Sequence, residues 1–239
     1  MVGFGVAIGT ISNPFGGYFN LRNLVIHTSI GEIFVWADLF AVIWIVGMIN
    51  VVNWLDGLDG LAAGVSGIAA LSLFFLSLTP IVNQPAVALI SIILAGSVVG
   101  FLLFNFSPAR IFMGDAGSMF LGYSLAVFAM ISGGKITTAF LVLGFPILDG
   151  LWVILRRIYS GVSPWTSDRK HLHHRLLDLG LTQRQVVLIL YLLTIVFGMA
   201  AYLSGSMGKL KALIWLFCLM LALAIWLVMI EYRKRKFKS

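Results

Sequence analysis

Asn50, Asn53, Asp56 and Asp59 stand three residues apart in NVVNWLDGLDGLAAG, residues 50–64, where an apolar stretch runs into glycine and small residues. On a helix, residues at this spacing drift by about 60° per step, so Asn50, Asn53 and Asp56 share one side of the helix end. Gly57 and Gly60 let the chain turn there and let backbone approach a ligand. Any one of these residues alone reads equally well as a polar helix end capping into a loop. Four together beside so apolar a segment point to a partner or a water-filled cavity, because amides and carboxylates are costly near lipid.

A second cluster lies in NFSPARIFMGDAGS, residues 105–118. Asp115 directly precedes an apolar run, where its ordinary role is a helix N-cap. Gly114 and Gly117 add a second reading: backbone amides at a helix N-terminus can approach an anion, and Asp115 offers a hard oxygen suited to Mg²⁺. A magnesium diphosphate fits those parts together. Asn105 and Arg110 are upstream candidates for ligand contacts. Phe112 can stack on a base or face lipid, and the residues alone leave both open.

Three of the four histidines, His171, His173 and His174, fall within four residues, next to Asp168, Arg169 and Lys170. Zinc has weak support here, since no cysteine is near and the spacing is not that of a helical ligand pair. Two readings remain: a basic loop meeting anionic lipid, or a lid of donors around phosphates in a dry site. Asp149, in PILDGLWVILRR, lies about 10 Å along a helix from Arg156. At that depth it marks a functional site, pairs with an arginine, or holds two helices together.

The elements that must position these residues follow from composition. With 60% hydrophobic residues, 10% charged residues and a mean hydropathy of +1.03, the chain is not a soluble globule, which carries about 25% charged residues. Uniformly apolar stretches long enough to cross about 30 Å of hydrocarbon lie near residues 35–52, 60–80, 86–107, 116–132, 136–156, 186–204 and 210–230. The expected fold is all-α, a polytopic transmembrane helix bundle of about seven complete spans, and not a β-barrel. Met1 to Ile11 lacks a basic leader and would extend about 16 Å as a helix, so it is expected to be the tail of a partial span. Residues 1–230 form one transmembrane domain and 231–239 a basic cytoplasmic tail.

The net charge of +7 is informative through its placement rather than as a signal for nucleic acid, which is not an expected partner. If residues 160–184 are cytoplasmic, that side holds Arg110, Arg156, Arg157, Arg169, Lys170, Arg175, Arg184, Arg233, Lys234, Arg235, Lys236 and Lys238. Arg22, Lys135, Lys209 and Lys211 remain outside, so twelve of the sixteen basic residues are inside, the bias of a plasma-membrane protein. The same topology puts all three clusters on the cytoplasmic face. Cys218 stands alone, so disulfides contribute nothing.

Taken in order, NVVNWLDGLDGLAAG, NFSPARIFMGDAGS and PILDGLWVILRRIYSGVSPWTSDRKHLHHRLLDLG resemble the motifs of the polyprenyl-phosphate N-acetylhexosamine-1-phosphate transferases, over roughly residues 1–230. The resemblance implies transfer of a sugar 1-phosphate from a UDP-sugar to a polyprenyl phosphate at the cytoplasmic face, with release of UMP and a need for Mg²⁺. Carried over by residue, it implies that Asn53 and Asp115 coordinate the magnesium diphosphate, and that Asp56, Asp59 and Asp115 are the catalytic acids. Asp56, Gly57 and Asp59 would border the nucleotide pocket, and Asn105 and Phe112 would lie near the uracil. Arg157, His171, His173 and His174 would bind the diphosphate or sugar. The HLHH form is closer to the N-acetylglucosaminyl-1-phosphate branch than to the muramoyl-pentapeptide branch, which is the runner-up.

This chain departs from the family at one point. The family pattern has an Asp-Asp pair on an earlier cytoplasmic loop, whereas the only acids before Asn50 are Glu32 and Asp38, both outside by this topology. The expectation is a chain lacking the family's N-terminal helices. A catalytically silent membrane module that binds UDP-sugar is therefore a rival reading. A secondary transporter, which also places acids and broken helices around a cavity, is a weaker one. Membrane lipid is an expected neighbour, and oligomeric state stays open, with a homodimer among the options.

Overall fold

The computed structural model describes residues 10–12, 18–21, 23–28, 31–80, 82–132, 136–161 and 171–236. Most of the expected partial span, residues 1–9, and the Asp168, Arg169 and Lys170 group lie outside the described residues. The first described elements are short strands, not helix: β1 (Thr10–Ser12) pairs antiparallel with β2 (Tyr18–Asn20), and β3 (Val25–Thr28) with β4 (Gly31–Phe34). These two short hairpins precede a chain that is otherwise helical among the described residues, consistent with an all-α membrane protein. A β-branched Val-Ile pair favours extended chain in β3, and His27 opposes Glu32 in the register. The second hairpin feeds directly into a helix, because the Phe34 N–H donates to Asp38 Oδ2 (3.0 Å) and the Val35 N–H to the Leu24 carbonyl (3.1 Å).

From there the described chain is helical: α1 (Val35–Leu55), α2 (Leu61–Ser77), α3 (Pro85–Asn105), α4 (Gly114–Ile131), α5 (Ile136–Val142), α6 (Gly144–Tyr159), α7 (Leu172–Asp178), α8 (Gln183–Leu203) and α9 (Ser206–Lys236). Local chemistry sets several starts. Pro85 opens α3, where its missing N–H costs nothing. Thr182 and Gln185 form a reciprocal capping box at α8.

Each of the seven apolar stretches holds helix, and the chain is a multi-pass membrane protein. Five helices, α1, α3, α4, α8 and the 207–226 stretch of α9, are long and apolar enough to cross a membrane. The expected straight span over 136–156 is instead α5 and α6, bent by 79° at their junction. Pro146 explains the break: its ring conflicts with the carbonyl four residues back, at Val142, where α5 ends. Counting the bent pair once makes six. α2, with 17 residues, is only about 26 Å long and is buried on most of its surface. The basic segment expected beyond residue 230 continues α9 as far as Lys236.

α2 is the hub, packing on α3, α8 and α4. Its sequence makes this possible, since Ala62, Ala63, Gly64, Ser66, Gly67, Ala69 and Ala70 keep its surface narrow and all are buried. Inside a membrane, small residues let backbones approach and gain van der Waals contact. At Gly64 the approach is extreme: a Cβ would lie 1.9 Å from Tyr191 Cζ of α8. Gly122 does the same between α4 and α1, where a Cβ would come within 2.7 Å of Ile49 Cα, next to the Trp44 indole N–H bond to the Ala126 carbonyl (3.2 Å).

Gly64→Ala is therefore expected to displace Tyr191 and destabilise the bundle by about 1–3 kcal/mol. Gly96→Ala in α3, where an added Cβ meets nothing within 4 Å, should leave stability unchanged or raised. Thermal unfolding in one detergent compares the two; equal melting temperatures would contradict this account of α2–α8 packing.

Candidate functional site

The three polar clusters meet at one end of the bundle, formed by the last turn of α1, the starts of α2, α4 and α8, the end of α3, and α7. Asn53, in the last turn of α1, donates from Nδ2 to Asp115 Oδ1 (3.2 Å) and to Ser118 Oγ (3.0 Å) at the start of α4. The amide oxygen of Asn53 takes no part in these two bonds. Asn50, one turn earlier, returns its amide to the Val46 carbonyl of its own helix (2.7 Å).

Two loops frame this contact, and side chains hold them in register. Gly60 takes a positive φ of +79° before α2, a conformation that favours glycine. Its N–H donates to Asn105 Oδ1 (3.0 Å), while Asn105 Nδ2 donates to the Ile111 carbonyl (2.9 Å). Asp59 Oδ2 accepts from the Ala109 N–H (3.1 Å). Arg184 Nε, entering α8, donates to the Ser107 carbonyl (2.8 Å), and the Tyr191 hydroxyl donates to the Gly60 carbonyl. The loop before α2 and the loop before α4 are thus one fixed unit.

The histidines ride on α7. Asp149, buried on α6, bonds both His171 Nδ1 (2.9 Å) and the Leu172 N–H (2.9 Å), anchoring the start of α7. Of the three roles open to Asp149, this arrangement is the joining of two helices. Trp54 lies against the His171 ring at 5.9 Å between centroids, and His173 is parallel to it at 5.7 Å. Gly150 makes room, since a Cβ there would fall 2.6 Å from Trp54 Cζ3. Gly57, the turn residue after Asp56, touches the other histidines: a Cβ would lie 2.8 Å from His173 Nε2 and 3.6 Å from His174 Nε2.

The electrostatics are uneven. Burial, and then the nearby negative charge of Asp115, push the Asp56 carboxyl up to about 6. Two carboxylates held this close are relieved by a cation. The available oxygens of Asp56, Asp115 and Asn53 are hard donors that match Mg²⁺, which takes one or two carboxylates and leaves positions for water and phosphate. Among the described residues no group of three or more His, Cys, Asp or Glu forms a metal cage, the histidines included. Burial, followed by the charges of His174 and His171, lowers His173 to about 3, so it is neutral at physiological pH.

The structure therefore joins Asn53, Asp56, Gly57, Asp115, His173 and His174 directly or through one neighbour, with His171 stacked behind. Asn105 is 3% exposed and bonded at both ends of its amide within the protein, so it positions loops rather than presenting itself at the surface. Phe112 is 78% exposed, Arg110 is exposed, and Arg157 is buried on α6. Sequence reasoning did not single out Ser118, Trp54, Tyr191 or Gly150. Ser118 was legible as the residue one turn after Asp115; the other three depend on contacts between distant helices.

Asn105→Ala should leave the Gly60 N–H and the Ile111 carbonyl without partners, at a cost of roughly 1–3 kcal/mol for each, read as a lower melting temperature. For His173 the sign is set by a folded-state pKa below the unfolded value near 6.5. Its contribution to stability is complete above that value and falls as pH drops toward 3. Stability measured from pH 7 to pH 4 should decline less steeply in His173→Leu than in the wild type; identical slopes would exclude a buried neutral His173.

Residues 2–133 match the model of glycosyl transferase family 4. Over 133 residues the chain is 40% identical to a probable undecaprenyl-phosphate N-acetylglucosaminyl 1-phosphate transferase of Bacillus subtilis, covering 53% of this chain and 36% of that protein. It is 44% identical over 124 residues to a decaprenyl-phosphate N-acetylglucosaminephosphotransferase of Mycobacterium leprae, covering 44% and 31%. Identity is 33% over 107 residues to an undecaprenyl-phosphate alpha-N-acetylglucosaminyl 1-phosphate transferase of Escherichia coli K12, covering 42% and 27%. The chain spans about a third of the length of these curated relatives. With more than half of its residues matched by the family model, and with the family's motifs gathered at one end of the bundle, this chain belongs to glycosyl transferase family 4.

Proposed function

We propose that this chain carries the nucleotide-diphosphate site of a phosphoglycosyl transferase that moves N-acetylglucosamine 1-phosphate from its UDP conjugate to a polyprenyl phosphate, at the cytoplasmic face of the membrane. The observation that carries the proposal is the junction of Asn53 with Asp115 across two helix ends, with Gly57 against His173 beside it. A carboxylate with its amide partner and a histidine helix thus meet at the end of α1, an arrangement suited to receiving a metal-bound diphosphate. The relatives' names support the sugar and the lipid acceptor.

In this reading an oxygen of the lipid phosphate attacks the sugar-bearing phosphorus. One P–O bond forms, the bridging P–O bond to the nucleotide breaks, and UMP leaves with the bridging oxygen; no proton is required for balance. Positioning and charge neutralisation account for most of such a rate enhancement. Asp115 and Asn53, with Asp56 adjacent, would hold Mg²⁺, which supplies neutralisation of the diphosphate charge. Gly57 gives backbone access, His173 and His174 line the opposite side as hydrogen-bonding groups, and Arg157 adds positive charge from α6. The exposed ring of Phe112 is available to stack on uracil, and Asp59 and Asn105 keep the two loops in place.

The test is UMP release from UDP-N-acetylglucosamine and undecaprenyl phosphate, in membranes holding this chain and in membranes holding it together with any coding sequence upstream. Release should require Mg²⁺, stop with EDTA, and fall by about a hundredfold or more in Asp115→Ala. Donor binding that survives with no UMP release from either protein would instead support a silent binding module. Trapping a phosphosugar on the protein without acceptor would contradict direct attack.

A further inference from the structure

Arg184 stands where helix electrostatics disfavour it. It is the second residue of α8, after the Thr182 cap, in a first turn that holds no acid. A helix N-terminus carries partial positive charge, so a cation there is unfavourable. Arg184 is also exposed, so packing does not demand it. What it makes is one directed bond, in which Nε donates to the Ser107 carbonyl at 2.8 Å across 77 residues of chain.

Ser107 lies in the loop of residues 106–113, which is tied at two further points. Asp59 Oδ2 accepts the Ala109 N–H (3.1 Å), and Asn105 Nδ2 donates to the Ile111 carbonyl (2.9 Å). Beside these ties Pro108, Arg110 and Phe112 are exposed, and Asp115 follows at the start of α4. Asp59 and Asn105 fall within the family-matched residues 2–133, whereas Arg184 lies beyond them.

We propose that Arg184 is a positioning residue that clamps the loop before α4 from α8, so that Phe112 and Asp115 are preset for the nucleotide donor. This rests on the function proposed above and adds to it a residue that acts through the Ser107 carbonyl. A loop already held in its bound form spares the ligand the cost of ordering it, so the clamp acts on donor affinity rather than on the chemical step. The bond matters here, and the charge does not.

Two variants separate bond from charge. In Arg184→Gln the amide nitrogen is as many bonds from Cβ as the arginine Nε and can donate to the same carbonyl. Arg184→Met has similar length and no donor, and both variants lose the cation. With the full chain in detergent, hydrogen exchange across residues 109–111 should be faster in Arg184→Met and near wild type in Arg184→Gln. Calorimetric binding of UDP-N-acetylglucosamine with Mg²⁺ should weaken about tenfold in Arg184→Met and stay within about threefold of wild type in Arg184→Gln. In UMP release the change should fall on KM and not on kcat. Melting temperatures of both variants should stay at or above the wild-type value, because the removed cation offsets the altered bond.

Wild-type exchange at residues 109–111 in Arg184→Met would overturn the proposal. Equal loss of binding in both variants would overturn it too, by assigning the effect to charge, and an Arg184→Met that melts lower or fails to fold would make Arg184 a structural residue instead. If no protein, wild type included, binds the donor while Arg184→Met still loosens residues 109–111, the function proposed above fails and the clamp stands.

Discussion

Polar backbone at a bilayer edge has to find its partners within the protein, and here one side chain meets that demand for two loops at once. Asn105 lies between the Gly60 N–H and the Ile111 carbonyl, where neither would be cheaply satisfied beside lipid. Because Gly60 is also tied to Tyr191, and the second loop to Asp59 and Arg184, the entrances to α2 and α4 form one rigid frame. Asn53 and Asp115 meet where α1 and α4 also pack directly, through Gly122 against Ile49 and the Trp44 bond to Ala126, and the frame holds the loop before α4 beside that contact. The Asn53–Asp115 contact is thus supported by hydrogen bonding that touches neither of its members.

The frame also explains an electrostatic arrangement that is unfavourable on its own terms. Asp56 and Asp115 are close enough for one to oppose ionisation of the other, and the imidazole facing Gly57 is too buried to carry a compensating charge. A fold selected only for stability would place a cation or an apolar residue there. Retaining two acids next to a neutral histidine makes physical sense where the missing positive charge arrives with a ligand. The close approach of Gly57 serves the same end, since any side chain would push His173 away from the acids.

Much of this was legible in the sequence. Hydropathy located the helical stretches, and Lys and Arg placement put the three clusters on one side, where the structure brings them together. Spacing placed Asn53 and Asp56 at one helix end. What escaped was what depends on distant neighbours. The strands between residues 10 and 34 are only three or four residues long, too short for a period-two pattern to stand out. The 79° bend was written in Pro146, but a proline in an apolar run is compatible with a kinked span as well as a broken one. Asn105 was read as a ligand contact because an amide at a helix end is chemically suited to either role; only its burial and its two partners distinguish them. Ser118 belongs to the same motif as Asp115, yet its bond to Asn53 spans 65 residues.

The bend has a consequence for the histidines that links the two halves of the site. By breaking at Pro146, the chain starts α6 afresh just before Asp149, so this acid lies in the first turns of a new helix whose Gly150 accommodates Trp54 of α1. Trp54 neighbours Asn53, and its ring lies on His171. The same turn of α1 therefore aims an amide at Asp115 and an indole at the histidine helix. A displacement of α6 would move Asp149, His171 and Trp54 together, and with Trp54 the helix end that carries Asn53. Asp115 and the histidines are linked through α1, because Asn53 and Trp54, adjacent residues in its last turn, contact one each.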